Sequence, residues 1–168
     1  MQTQISSLKD LFMAESARLY SVETQLISAL PQMAELAQNQ QLKQAITSHL
    51  EETRQQKQRL EQLFSQAGGQ VPQMVDKSMQ TMLQEAQQTL SMIGSGEVRD
   101  AAIIGCAQKV EHVEIAAYGT AASLAKMLGL QEAQQLLHQT LQEEKGADAK
   151  LTQLAEAQVN QQAQRAAE

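Results

Sequence analysis

Apolar positions along this chain recur in alternating steps of three and four. Ile5, Leu8, Phe12, Ser16, Leu19, Glu23, Leu26, Leu30, Met33 and Ala37 form one such stripe. Ile103, Ala107, Val110, Glu114, Ala117, Ala121, Leu124 and Leu128 form another. That spacing places the residues on one face of a helix, the face that packs inward. The pattern predicts long helices over about residues 7–38, 40–66, 97–128 and 131–159. In the second, Leu42, Ala45, Ile46, His49, Glu52, Leu60, Leu63 and Phe64 share a face. In the fourth, Ala133, Leu136, Leu137, Thr140, Glu143, Glu144, Ala147, Leu151, Leu154 and Ala155 do.

The punctuation agrees with these elements. Ser7 with Asp10 three residues on is a variant of the capping box. Pro31 falls inside the first helix and removes one backbone donor there, which predicts a kink. Ala67-Gly68-Gly69 with Pro72 just beyond ends the second helix, and Gly129 ends the third. The connection at 67–96 carries a shorter amphipathic helix from about Gln73 to Ile93 and closes with Gly94-Ser95-Gly96. A connection of that length can return the chain across a bundle, as in four-helix bundles with one long crossover. The polar tail 160–168 is expected to fray.

One shift of 91 residues superposes the first helix pair on the second without a gap. It pairs Phe12 with Ile103, Leu19 with Val110, Glu23 with Glu114, Glu52 with Glu143, Leu60 with Leu151 and Leu63 with Leu154. Two hairpins agreeing on one offset make an internal repeat. The expected fold is therefore all-α, a single domain of 168 residues. Two pseudo-twofold-related hairpins, at 7–66 and 97–159, are joined by the crossover.

Composition narrows the function classes. Two prolines, 2% aromatics and abundant Ala, Gln, Leu, Glu and Met fit a helical chain. A net charge of −6 leaves no basic surplus for phosphates, so nucleic acid is not an expected partner. No apolar run reaches membrane-spanning length, and Lys9 and Asp10 stand where a signal peptide would be apolar. The single Cys106 excludes an internal disulfide and reads as a small core residue. The expectation is a soluble cytoplasmic protein.

The repeat gives each helix one inward glutamate: Glu23, Glu52, Glu114 and Glu143. Carboxylates converging in an apolar interior repel, so they need protons, cationic partners or metal. Arg54 and Lys145 follow their glutamates by two positions and point away, leaving divalent metal as the physical answer. His49, three before Glu52, and Glu111, three before Glu114, face the same way as those glutamates. Glu144 and Asp148 fall toward the outer side of the stripe. Tyr20 and Tyr118 read as core or hydrogen-bonding residues, and His112 and His138 as surface residues.

This arrangement resembles the ferritin-like dimetal-carboxylate superfamily. Tyr20-Ser-Val-Glu23-Thr-Gln-Leu, His49-Leu-Glu-Glu-Thr53, Glu97-Val-Arg-Asp-Ala-Ala102, Gln108-Lys-Val-Glu111-His112, Glu114-Ile-Ala-Ala-Tyr-Gly-Thr120 and Glu143-Glu-Lys145 with Asp148 resemble the YciF-type bacterial stress proteins. The resemblance spans nearly the whole chain. It implies a ferritin-like four-helix bundle, a homodimer and a link to stress. It also implies two divalent metal ions, iron first and manganese second, with oxygen or peroxide as the substrates of any reaction. One departure stands out. Ferritin-like sites use Glu-x-x-His on the second and fourth long helices, but Gln55 and Gly146 occupy the histidine positions here. His49 and Glu111 are the candidate replacements, and Gly146 leaves space for a small ligand. The competing expectation is a non-catalytic helical scaffold whose metal, if any, is structural.

Overall fold

The computed structural model describes residues 4–67, 69–94 and 96–166. Gly68, Ser95 and the last two tail residues lie outside them. Four long helices form the bundle: α1 (Leu8–Leu36), α2 (Gln40–Gln66), α4 (Gly96–Met127) and α5 (Gln131–Leu154). α3 (Lys77–Ser91) lies in the crossover, and α6 (Asn160–Arg165) follows α5. No strand occurs among the described residues.

The turns are built by local chemistry. Ser7 Oγ accepts from the Asp10 N–H while the Asp10 carboxylate accepts from the Ser7 N–H, a complete capping box. α1 continues through Pro31 to Leu36. Asn39 caps α2 by accepting from the N–H groups of Gln41 and Leu42. Gly129 carries the positive φ, 71°, that ends α4. There the Leu130 N–H reaches Ala125 O and the Gly129 N–H reaches Lys126 O, the paired bonds of a Schellman turn.

α3 is shorter than the apolar pattern suggests. Asp76 caps it by accepting from the Met79 N–H, and Ser21 Oγ of α1 holds the Asp76 N–H at 2.8 Å. The chain ahead of that cap is therefore not helical. The tail departs from expectation in the other direction. Ala155–Val159 forms a π turn in which the Asn160 N–H bonds Ala155 O, and helix resumes to Arg165. The turn buries Val159, and Asn39 Nδ2 donates to Gln162 Oε1, so this end is docked rather than frayed.

Topology follows from the crossover. α1 and α2 form one antiparallel hairpin, α4 and α5 the other. α1 packs on α4 and α2 on α5, with α3 against α1 and α4. Asp100, buried near the start of α4, accepts from the Gln38 and Asn39 N–H groups at 2.9 and 2.7 Å. The start of α4 thus sits at the α1–α2 turn, so α4 runs parallel to α2. Gln66 Nε2 donates to Glu132 at the opposite end. Asp100→Ala leaves two backbone donors without their charged acceptor, so urea denaturation is expected to show a loss of about 2–3 kcal/mol.

The core is split. One apolar cluster, with Leu26, Leu30, Leu42, Ile46, Met79, Ile103 and Leu151, fills the end under α3. A second, with Phe12, Leu19, Leu60, Leu63, Ala121, Ala125 and Leu137, fills the other. Between them the bundle interior turns polar.

Candidate metal centre

Each long helix contributes to this polar layer through the same stripe that packs the core. In α2 the buried positions run Leu42, Ile46, His49, Thr53, Gln56, Leu60, Leu63. In α5 they run Ala133, Leu137, Thr140 and Leu141, Glu144, Leu151. α1 supplies Glu23; α4 supplies Glu111, Glu114 and Tyr118. These side chains continue stripes that are apolar toward both ends of the bundle, so packing of those stripes carries them inward.

His49, Glu111, Glu114 and Glu144 each offer a ligand atom, and these atoms lie within 4.8 Å of one another. His49 Nε2 is 3.4 Å from Glu111 Oε1 and 3.8 Å from Glu144 Oε2. Glu23, fully buried, adjoins the group: the Tyr118 hydroxyl donates to its Oε1. Glu23 Oε2, Glu111 Oε2 and both carboxylate oxygens of Glu114 and Glu144 are buried without a hydrogen-bond partner. Orphaned buried oxygens at this density are costly.

The electrostatics carry the same message. Burial pushes the Glu23 and Glu114 carboxyls far above the usual carboxylate range, with Glu144 adding to the first and Glu23 and Glu144 to the second. Burial, then the Glu144 charge, pushes Glu111 up to about 10. Glu144 is also raised by burial, against the pull of His49. Burial and the Glu23 charge raise the Tyr118 hydroxyl well above its ordinary value. Without a compensating cation, this layer holds protons rather than charge.

Of the residues singled out in the sequence, Glu23, Glu114, His49 and Glu111 come together inside. Glu52 and Glu143 do not join them. Glu143 lies on the outer flank of α5, where Arg59 grips it with two nitrogens at 2.6 and 2.8 Å and Gln56 Nε2 donates at 3.2 Å. Burial is the largest single influence and opposes its charge, but the hydrogen bonds from Arg59, Gln139 and Gln56 together with the Arg59 charge hold this carboxyl below its ordinary value. Arg59 is therefore a cation on this face that the reading from Arg54 and Lys145 did not include. Glu52 is half exposed, and its Oε2 lies 3.4 Å from His49 Nδ1. A proton on Nδ1 directed at Glu52 leaves Nε2 bare toward the cluster, so Glu52 can orient the histidine from outside.

Glu144 corrects its assignment to the outer side: it is fully buried. The reason is phase. One residue on a helix is about 100° of rotation, and aligning on Glu52, itself at the edge of its face, put Glu143 inside in place of its neighbour. The shift of 91 still holds, pairing Thr53 with Glu144, both at 0% exposure. Asp148 stays on the outer flank with Gln108 and His112. Tyr20 turns outward to Glu61, and Cys106 is only partly buried.

Two helix hairpins joined by a long crossover make this chain a four-helix bundle of ferritin-like fold, with a buried carboxylate–histidine layer at its centre. The chain belongs to the family described as domain of unknown function DUF892, whose model matches residues 7–164. It is 42% identical over 161 residues to protein YciF of Escherichia coli strain K12, covering 95% of this chain and 97% of that one. The crystal structure of the E. coli stress protein YciF superposes with a TM-score of 0.89 over 93% of this chain and 99% of the other. YcfI of Rhodopseudomonas palustris, 39% identical, superposes at 0.87 over 90% and 97%. A Xanthomonas campestris protein, 22% identical, shares the fold at 0.77 over 96% of this chain and all of its own. No helix among the described residues is long and apolar enough to cross a membrane.

Proposed function

We propose that this chain is a stress-associated metalloprotein in which His49, Glu23, Glu111, Glu114 and Glu144 hold two divalent ions, iron first and manganese second. The observation that carries the reading is the set of partnerless carboxylate oxygens facing a histidine nitrogen inside the bundle. A mixed oxygen and nitrogen donor set suits iron and manganese. Four carboxylates against two divalent ions balance in charge, which removes the cost of burying either alone.

When bound, such ions supply redox chemistry toward oxygen or peroxide. The chain's own residues do the rest. Glu52 fixes the ring of His49, Tyr118 holds Glu23 by its hydroxyl, and the Arg59–Glu143 pair closes the gap between α2 and α5 on the Leu60 side. The two apolar clusters exclude water above and below.

Oxygen and peroxide consumption by ferrous-loaded protein, compared with free ferrous ion, tests the reactive reading. Consumption faster than free iron, lowered at least tenfold by Glu52→Ala through loss of the histidine's orientation, is the expected result. Consumption no faster than free iron, with melting temperature lowered by chelation, would make the metal structural. We also propose a homodimer. Light scattering should give twice the 18.5 kDa chain mass.

A further inference from the structure

A cavity of about 270 Å³ opens between α2 and α5 beside the cluster. Its walls are apolar, made by Leu30, Ile46 and Leu151. Its inner end is formed by His49 and Glu111, and Gly146 lies at its rim. Glu111 is 3% exposed and His49 8%, so the cavity's inner end is both polar and buried.

We infer that this cavity is a binding site for a small neutral organic molecule with an apolar body and one polar end, the polar end directed at His49 and Glu111. The inference deepens the metal-centre reading and rests on it for what the guest meets at the inner end.

Size sets the first limit. The volume is many times the roughly 10–15 Å³ that holds one water, so it exceeds what dioxygen or hydrogen peroxide needs. It lies just below the range of drug-sized pockets, which points to a guest of about ten non-hydrogen atoms. Charge sets the second. At the rim, Glu52 and Lys150 are of opposite sign, and Glu143 is taken by Arg59. No net charge is left there to draw in an ion. Either ion, anion or cation, would lose its hydration against the apolar walls without a compensating charge.

The opening is maintained by small residues. A Cβ at Gly146 would meet nothing within 4 Å, so no packing forbids a larger residue there. Ser48 stands exposed on the opposite rim, on α2. A leucine at either position projects over the mouth from a helix surface, outside the core.

The test uses three probes of one shape: 3-phenyl-1-propanol, 3-phenylpropanoate and 3-phenylpropylamine. Each is titrated by calorimetry or ligand-observed NMR into the iron- or manganese-loaded chain. The alcohol is expected to bind below about 1 mM, at least tenfold tighter than either ion. Gly146→Leu, and independently Ser48→Leu, should each weaken the alcohol at least tenfold, with helical circular dichroism and metal content unchanged. Alcohol binding no tighter than that of the ions, or indifferent to both leucines, overturns the inference. Metal analysis of the same samples keeps the two claims apart. A chain without metal that still takes the alcohol contradicts the metal reading and leaves the cavity's role standing. A loaded chain that ignores the alcohol overturns the cavity's role alone.

Discussion

Glu144→Ala is expected to lower metal content from about two ions per chain to below about 0.2 after desalting, because a buried ligand is lost and nothing nearby replaces it. Glu143→Ala is expected to leave metal content near wild type. Its side chain is 24% exposed and committed to Arg59, so its loss should cost only about 1–2 kcal/mol of stability. The contrast between adjacent residues is the point of the experiment. A chain that merely lost helix stability would respond to both. A second consequence follows from burial. In metal-free protein, Glu144→Gln removes an ionisable group that the interior disfavours, so the variant should be no less stable than metal-free wild type while losing the stabilisation metal provides. Inductively coupled plasma analysis with paired thermal melts reads both effects.

Metal-free protein should lose stability as pH rises, and metal-loaded protein should not. Glu111, raised from 4.5 to about 10 by burial first and the Glu144 charge second, keeps its proton in the folded metal-free chain. Glu23, Glu114 and Glu144 are displaced in the same direction. The unfolded chain releases these protons once pH exceeds the ordinary carboxylate value. Between those limits the folded chain binds more protons. Stability is therefore fully present below the unfolded value and falls as pH rises toward the folded one. The slope is about 1.4 kcal/mol per pH unit for each retained proton. Metal ligation needs deprotonated carboxylates, so binding ejects those protons and strengthens as pH rises. Denaturation from pH 5 to 8 should show metal-free protein weakening while loaded protein, whose ligand carboxylates are deprotonated folded and unfolded alike, stays nearly level. Parallel curves would mean that the metal does not bind at these carboxylates.

The fold was legible because its signals are redundant. Stripes, caps and the shift of 91 residues all report the same two hairpins, and α2 begins and ends where the pattern places it, at Gln40 and Gln66. α3 came out shorter because Asp76 is a stronger stop than the apolar face ahead of it is a start. The tail was misjudged because a π turn resets the helix phase at Ala155–Val159, and no periodicity argument anticipates that.

The polar layer was legible by cost rather than by motif. Glu23 and Glu114 occupy mid-stripe positions where nothing but a compensated carboxylate belongs, and both are buried. Glu144 was missed although its signal was present. The leucines of α2 set a phase of 42, 46, 49, 53, 56, 60 and 63, in strict steps of four and three. That phase places Thr53 inside and Glu52 beside it, and the shift of 91 carries the same result to Glu144 and Glu143. Weighting the apolar residues over the glutamates would have found it. Arg59 is different in kind. Its head reaches Glu143 across two helices, and only a structure shows which surface cation is long enough to do so.

The most direct measurement is anomalous diffraction from crystals of the iron-loaded protein, collected on both sides of the iron absorption edge. Anomalous density is expected between His49, Glu111, Glu114 and Glu144, with a second peak toward Glu23, and none on the Glu143–Arg59 flank. Iron-loaded crystals with no peak in the polar layer, or with density only at surface carboxylates, would contradict it.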